Sequence, residues 1–231
     1  IELKAANNIT VAEADEAAGN MGILATNQKV TYADGFTNEA MLQQKGNITL
    51  TAGNSITNNG KLIAGAAPVE EAEANGTLNA GNNITTNGTI TSAGNTSLNA
   101  KETGAIEVNG TVNADGSISG TAENGPITIG AAMNSENGGI ALGTKKDITI
   151  NGALYSANGD IKAHSTQENI YNNANITVAK GNVEQTAQGS IENNAGITVE
   201  KGNVIENAQG NIKTNAEITV NTGNVEQTAQ G

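Results

Sequence analysis

Short apolar alternations recur along this chain, and each is bounded by asparagine and glycine. Ile48-x-Leu50 and Ile197-x-Val199 are two examples. An apolar position at every second residue is typical of a strand, and Asn-Gly punctuation favours tight turns that accept positive φ. The repeat region has no sustained apolar pattern at i, i+3, i+4 and i+7, which disfavours the helical repeat classes. The pattern therefore predicts an all-β chain.

The alternations belong to a longer repeat. Residues 181–201, GNVEQTAQGSIENNAGITVEK, are followed by a second version of the same segment in 202–222 and by a partial third in 223–231. A fixed period of about 20 residues indicates units that stack on one another, because one such unit cannot bury its apolar face alone. The apolar positions of the first two versions coincide: Val183 with Val204, Ile191 with Ile212, Ile197 with Ile218, and Val199 with Val220.

The same period extends back through the chain. When the first inward apolar residue of each unit is taken as its anchor, the spacings stay between 20 and 22 residues from Leu78 onward. Each unit holds three apolar clusters, which predicts three short strands joined by corners. The predicted anchors are Ile1, Val30, Ile48, Leu78, Leu98, Ile118, Ile140, Ile161, Val183, Val204 and Val225.

Three strands in 20 to 22 residues predict one coil of a parallel β-helix, or β-solenoid. About ten coils, stacked about 4.8 Å apart, would make a rod roughly 50 Å long. Each strand would pair with its equivalent in the coils above and below, and stacked Ile, Val and Leu would fill the interior. Asparagines at equivalent corners are expected to form hydrogen-bonded ladders. In residues 1–45 the phase is open: Phe36 and either Met41 or Leu42 are candidates to face inward.

Two units are longer than the rest. Ile1 to Val30 spans 29 residues and Ile48 to Leu78 spans 30, and each contains an Ala/Glu-rich passage, at 12–19 and 66–75. Insertions in solenoids emerge from corners as surface loops, often on a binding face. Two interpretations stay open, a solvated acidic excursion and a recognition loop.

Charge and composition limit the classes of partner that this chain is expected to bind. The chain has 11 Lys and no Arg against 23 Asp plus Glu, for a net charge of −12. Nucleic-acid binding requires a basic stripe that displaces counterions, so we expect no nucleic-acid partner, and anionic membrane surfaces are disfavoured for the same reason. No apolar run approaches the 18 residues or so that a membrane span needs. The absence of cysteine fits a secreted bacterial chain and many cytosolic proteins as well.

Candidate chemistry is sparse. Polysaccharide-cleaving β-helices use clustered acidic and basic groups, but here there is one histidine, His164, and the five aspartates are dispersed, with only Asp115 and Asp160 expected at similar corners two coils apart. Gly138-Gly139-Ile140 begins like a calcium-binding nonapeptide and does not complete it. We therefore predict no enzyme, no catalytic, cofactor-binding or metal-binding residue, and no cofactor. The other aspartates are Asp15, Asp34 and Asp147.

Two further surface motifs have plain structural explanations. Asn-x-Ser/Thr sequons recur along the chain, and a turn asparagine followed by an alternating Ile-Thr strand produces that motif without any sugar. Thr89-Ile90-Thr91 resembles one unit of an ice-binding threonine array, but the equivalent positions do not repeat it. Examples of these sequons begin at Asn8, Asn47, Asn75, Asn83, Asn87, Asn109 and Asn175.

GNITLTAGNSITNNGKLIAG (46–65) and NNITTNGTITSAGNTSLNA (82–100) resemble the repeats of filamentous haemagglutinin-like exoproteins. These are large adhesins that Gram-negative bacteria export by two-partner (type V) secretion, including the sticks that carry contact-dependent inhibition toxins. The resemblance implies a right-handed parallel β-helix, a secreted or cell-surface location, and a part in attachment and virulence. The family's Asn-Pro-Asn-Gly-type secretion turn has no match, since Pro68 and Pro126 lie in other contexts.

The hypothesis is thus a shaft segment, residues 1–231 as one β-helical domain and a fragment of a longer chain, because Ile1 and Gly231 both fall within coils. Its partners would be the flanking coils of the same chain and, through parts outside this segment, a host or bacterial receptor. Two alternatives stay open. One is a carbohydrate-active β-helix enzyme, and the other is an extracellular filament subunit that associates end to end through unpaired strand edges.

Overall fold

The computed structural model describes residues 46–65 and 74–231 throughout and, before them, the backbone of strands at 2–3, 9–11, 28–32, 36–38 and 41–44. These residues form strands and corners, with no helix among them. The strands lie in three parallel sheets, and successive coils add one strand to each sheet in turn. The predicted all-β parallel solenoid with three strands per coil is confirmed.

The strands are short, of two to five residues. Sheet A contains 11 of them and begins with the first strand, sheet B contains 10 and begins with the second, and sheet C contains nine and begins with the fifth. In chain order they are β1 (Glu2–Leu3), β2 (Ile9–Val11), β3 (Gln28–Tyr32), β4 (Phe36–Asn38), β5 (Met41–Gln44), β6 (Ile48–Ala52), β7 (Ile56–Asn58), β8 (Lys61–Ala64), β9 (Gly76–Ala80), β10 (Ile84–Thr86), β11 (Ile90–Ser92), β12 (Thr96–Ala100), β13 (Ile106–Val108), β14 (Val112–Ala114), β15 (Ile118–Ala122), β16 (Ile127–Ile129), β17 (Met133–Ser135), β18 (Ile140–Thr144), β19 (Ile148–Ile150), β20 (Leu154–Ser156), β21 (Ile161–Ser165), β22 (Ile170–Asn172), β23 (Ile176–Lys180), β24 (Val183–Ala187), β25 (Ile191–Asn193), β26 (Ile197–Lys201), β27 (Val204–Ala208), β28 (Ile212–Thr214), β29 (Ile218–Val220) and β30 (Val225–Ala229).

Nine coils of the described chain contribute a strand to every sheet, slightly fewer than the ten or so predicted. β1 and β2 precede them and β30 follows. Every sheet-A strand from β3 to β30 has five residues, whereas most strands of sheets B and C have three. The alternation buries the first, third and fifth residues of a long strand and the first and third of a short one, as in β12 and β13.

Like residues stack on one another through the core. The first inward position of sheet B is isoleucine in consecutive coils, and β-branched side chains pack well on such a pleated surface. Burying each of these side chains contributes about 1.5–3 kcal/mol to folding. The column is Ile56, Ile84, Ile106, Ile127, Ile148, Ile170 and Ile191, none more than 1% exposed.

The predicted anchors need one correction. Leu98 pairs with Leu78 and with Gly120, while Ile118 pairs with Thr96. Val30, Leu78 and Leu98 therefore occupy the third position of their strands, whereas Ile48 and Ile118 occupy the first. The anchors were out of phase because Gln28, Gly76 and Thr96 occupy the first position of their strands, so the first apolar residue comes two positions later.

Asparagine ladders join the corners, as predicted. Asn47 Oδ1 accepts a hydrogen bond of 2.7 Å from the backbone N–H of Asn75, and Asn75 Oδ1 accepts one of the same length from Asn95. At another corner Asn109 Nδ2 donates to Asn87 Oδ1 at 3.0 Å. Each ladder uses the corner side chain to hold the next coil in register.

The residues before 46 are described through their strands. In the strand register, Leu42 pairs with Leu62 and Met41 pairs with Lys61. Phe36 pairs with Ile56 of the next coil. The acidic passages lie between β2 and β3 and between β8 and β9. Residues 12–19 and 66–73 themselves lie outside the described residues.

Candidate functional site

The corner between sheets C and A carries the two aspartates that the sequence places together. Asp115 follows β14, and Asp160 precedes β21 two coils later. The Asp160 carboxylate is engaged: Oδ1 accepts the backbone N–H of Asn182 at 2.8 Å, and Oδ2 lies 3.1 Å from Lys162 Nζ. Asp160 therefore holds the adjacent coil in place.

The remaining polar candidates in the described residues are Asp147 and His164. Asp147 Oδ1 accepts both the backbone N–H (2.9 Å) and the side-chain Nδ2 (3.2 Å) of Asn169. His164 lies on the outer face of sheet A, exposed, between Gly143 and Thr186 of the neighbouring strands. Asp15 and Asp34 lie outside the described residues. Asp147 thus has a structural partner and His164 a surface position.

Ion pairs between successive coils shift the pKa of three side chains on the surface. Lys162 Nζ lies 3.1 Å from Glu184 Oε2, and its hydrogen bonds to Glu184 and then Asp160 raise the Lys162 pKa. The hydrogen bond and charge of Glu168 raise the Lys146 pKa. The hydrogen bond from Lys213, 2.8 Å away, lowers the pKa of Glu192. These pairs link outer positions of stacked coils.

Several sequon asparagines act as ladder members. Asn83 Oδ1 accepts the backbone N–H of Ala105 at 2.8 Å, and Asn175 Oδ1 accepts that of Gly196 at 3.2 Å. In the described part of the chain no three His, Cys, Asp or Glu side chains cluster in a way that could hold a metal ion. The same residues include no helix of the length and apolarity required to cross a membrane.

Polar side chains enter the core of sheet A in the C-terminal coils. The central inward position of the five-residue strand is leucine at Leu78 and Leu98, but it is Gln185 in β24 and Glu206 in β27. Gln185 is 1% exposed and Glu206 is fully buried. Buried polar groups are far more informative than exposed apolar ones, because each needs a hydrogen-bonding partner.

Sheet B shows the same change in the coils that face these residues. Its second inward position is Ile150 in β19, then Asn172 in β22 and Asn193 in β25, and both asparagines are fully buried. We call Asn172, Gln185, Asn193 and Glu206 the interior polar column. Asn172 pairs with Asn193 and Gln185 pairs with Glu206 in the strand register. Asn172 and Gln185 therefore face each other in the same way as Asn193 and Glu206, but one coil earlier.

Glu206 is the best-satisfied member of the interior polar column. Asn193 Nδ2 donates to its Oε1 at 2.7 Å, and Gln227 Nε2 donates to its Oε2 at 2.6 Å. None of the ion pairs formed by the described residues includes Glu206. The two amide donors are therefore the groups that solvate this buried carboxyl.

The other members of the column are poorly satisfied. The oxygen and nitrogen atoms of the Asn172 and Gln185 amides have no hydrogen-bond partner within the described structure, nor does Asn193 Oδ1. Leaving such a group buried and unpaired costs about 1–3 kcal/mol. The column is thus bonded around Glu206 and unpaired one coil earlier.

This column was not predicted from the sequence, although the alternation carried its signal. In Val183-x-Gln185-x-Ala187, the residues on either side of Gln185 are small and apolar at the inward phase, so Gln185 must point inward too. Ile191-x-Asn193 has the same property. A search for apolar clusters passes over these residues, because it treats every polar side chain as external.

Comparison with known proteins leaves the family open. No protein-family model matches the chain. Neither the curated proteins nor the solved structures include a match. The parallel β-solenoid is shown by the structure, and the likeness to filamentous haemagglutinin depends on the repeat pattern alone.

Proposed function

We propose that this segment is a structural shaft of a secreted, cell-surface filamentous adhesin. The observation that carries the proposal is the continuous parallel stacking of sheet A, in which each strand from β1 to β30 pairs with its equivalent in the next coil. Eleven strands about 4.8 Å apart span about 50 Å along the axis. A continuously hydrogen-bonded stack of this kind is suited to hold other parts of a protein at a fixed distance.

The side chains support a stacking role. Corner asparagines bond to the next coil, as from Asn203 to Asn182 and from Asn224 to Asn203. Lys213 and Glu192 pair across adjacent coils on the outer surface. Chemistry-bearing side chains are therefore largely engaged in holding neighbouring coils, which is the behaviour expected of a spacer.

The adhesive and secreted context rests on the resemblance of residues 46–65 and 82–100 to exoprotein repeats. In this proposal, residues 1–231 are one part of a longer shaft with no catalysis of its own, and attachment to a host or bacterial receptor takes place through other parts of the polypeptide. The net charge of −12 supports partners other than nucleic acid or anionic membrane.

Immunogold electron microscopy on the source cells tests the location. Antibody raised against residues 181–231 should label thin rods that protrude from the cell surface, and a strain lacking the gene is the matched control. Label confined to the cytoplasm, or to free protein in the medium with no rods, would overturn the adhesin proposal.

Removal of one repeat tests the shaft geometry separately. Deleting residues 181–201 joins Lys180 to Gly202, which is the same kind of residue as Gly181 at the same corner. Small-angle scattering should show a rod shortened by about 4.8 Å, with its cross-section unchanged. A collapsed or aggregated product would contradict the view that coils are interchangeable spacer units.

A further inference from the structure

Eight Asn-Gly dipeptides occur in the chain, all at or next to corners. In an Asn-Gly pair the backbone nitrogen of glycine can attack the asparagine side-chain carbonyl, because glycine offers no side chain to obstruct the approach. The reaction requires a glycine N–H that is free to lose its proton and an asparagine amide that is free to turn. Hydrogen bonds at either group oppose it.

Most of the corner pairs are held at both groups. Gly110 N–H donates to Thr86 O at 2.9 Å, while the Asn109 amide bonds to Asn87. Gly152 N–H donates to Ile129 O at 2.8 Å, and Asn151 Oδ1 accepts from Asn173.

Two other pairs are held as well. Asn124 is held through its side chain, by Glu102 O and by Lys145 Nζ. Asn158 bonds to Glu136 O, and the N–H of Gly159 bonds to Lys180 O.

Asn137-Gly138 is the exception. Asn137 is exposed, and its side-chain amide has no hydrogen bond in the described structure, nor has the backbone N–H of Gly138. The equivalent glycines of later coils do bond: Gly181 N–H donates to Lys201 O and Gly202 N–H to Thr222 O, both at 2.9 Å.

The backbone of Gly138 differs from that of the equivalent glycines. Gly159, Gly181 and Gly202 share a positive φ, and each directs its N–H to a carbonyl of the following coil. Gly138 lacks the positive φ, and its N–H donates to no carbonyl of the coil that follows.

We propose that Asn137 is a site of spontaneous deamidation, and the fastest of the corner Asn-Gly pairs in the folded protein. The Gly138 nitrogen forms a bond to Asn137 Cγ, the Cγ–Nδ2 bond breaks, and ammonia leaves with the proton of the Gly138 N–H. Water then opens the resulting succinimide at either carbonyl. The products are aspartate and isoaspartate, and each adds one negative charge beside Asp115 and Glu136.

The structure also supplies internal controls for the test. Cleavage after lysine yields the peptide 102–145, because the lysines nearest to that stretch are Lys101 and Lys145. That one peptide contains Asn109, Asn124 and Asn137, so tandem mass spectrometry compares the three sites in the same molecule. Folded protein is incubated in mildly alkaline buffer and sampled over time, and a parallel sample is incubated in denaturant.

Asn137 should convert at least about tenfold faster than Asn109 in the folded protein, since releasing one hydrogen bond costs about 1 kcal/mol and two such bonds hold the Asn109 pair. In denaturant the three rates should become similar. The Asn137→Gln variant should keep its charge over the same period. Retention of the Asn137 amide while Asn109 converts, or equal rates in the folded protein, would overturn the proposal.

Discussion

Asn172 and Asn193 are stacked members of the interior polar column, and the same substitution should have opposite effects on them. The equivalent inward position is Val108 in β13 and isoleucine in β16 and β19, so valine fits this row. Asn172→Val removes an amide that has no partner, whereas Asn193→Val removes the donor to Glu206 Oε1. The structure therefore separates an unpaired amide from one that solvates a buried carboxyl.

The magnitudes follow from these contacts. Replacing an unsatisfied buried amide by a packed apolar side chain should raise the free energy of unfolding by about 2 kcal/mol. Asn193→Val gains less, because only Oδ1 of Asn193 is unpaired, and it leaves a fully buried carboxyl short of one donor, a loss of about 3 kcal/mol. We expect Asn172→Val to stabilise by about 2 kcal/mol and Asn193→Val to destabilise by about 1 kcal/mol or more.

Urea unfolding with matched m-values measures the two changes. Hydrogen exchange of the backbone amides in β22 and β25 locates them, because repeat arrays are stabilised mainly by contacts between neighbouring coils. Asn207→Val is the matched control, since Asn207 is exposed on the outer face of β27, and it should change the free energy of unfolding by no more than about 0.5 kcal/mol. Changes of the same sign at Asn172 and Asn193 would refute the reasoning.

Three further predictions concern the corners and the surface. Gly110→Ala should destabilise the protein by more than about 1 kcal/mol, because the new Cβ would collide with the Gly88 carbonyl. Gly143→Ala in β18 should stabilise it by about 0.5 kcal/mol, because a Cβ there meets nothing within 4 Å. Thermal unfolding distinguishes the two variants, and equal losses of stability would contradict the close approach at the Gly110 corner. The hydrogen bond from Lys213 lowers the pKa of Glu192, so the stability that this pair adds is present above the pKa of Glu192 in the unfolded chain and is lost as pH falls through its pKa in the folded protein. In Lys213→Met, carboxyl NMR should show a higher pKa for Glu192. An unchanged titration would rule out the pair in solution. Glu184 and Asp160 raise the pKa of Lys162, so the stability that these contacts add is complete below the pKa of Lys162 in the unfolded chain and is lost as pH rises through its pKa in the folded protein. In Glu184→Gln, NMR should show the Lys162 amine titrating at lower pH. An unchanged titration would argue against the contact with Glu184.

The fold could be predicted from the sequence because every level of the pattern agrees. The 21-residue spacing of Val183 and Val204 sets the coil, the three apolar clusters set the strands, and the Asn corners set the ladders. The anchor phase could not be read as reliably, since Gly76 and Thr96 are inward positions that do not look apolar. An error of two residues preserves the strand face, so it left the predicted architecture intact.

The interior polar column is harder to predict for a physical reason. Glu206 departs from the rule that ionisable side chains face water, and it is tolerated because Asn193 and Gln227 come from different strands to reach its two oxygens. Such partners become visible only when coils are stacked in register. The unbonded Asn137-Gly138 pair depends likewise on the backbone conformation, because Gly138 lacks the positive φ of Gly159, Gly181 and Gly202.

Stacking also explains why repetition in this chain is imperfect. Identical coils would place Gln185 against another glutamine in the next coil, yet the second repeat has Glu206 there and the partial third returns to Gln227. Each Glu206 oxygen accepts a hydrogen bond from an amide of a different strand, so glutamate at this position fixes the orientation of both amides. In register, Glu206 is bonded to β25 and β30. A coil shifted by one repeat would bring glutamine to this position, and glutamine offers one acceptor oxygen where Glu206 offers two. We infer that Glu206 adds specificity of register to a stack whose apolar columns alone would accept several alignments. Glu206→Gln should therefore preserve the solenoid but allow alternative alignments of β24, β27 and β30, visible as doubled amide NMR signals in those strands. A single set of signals would refute the register role.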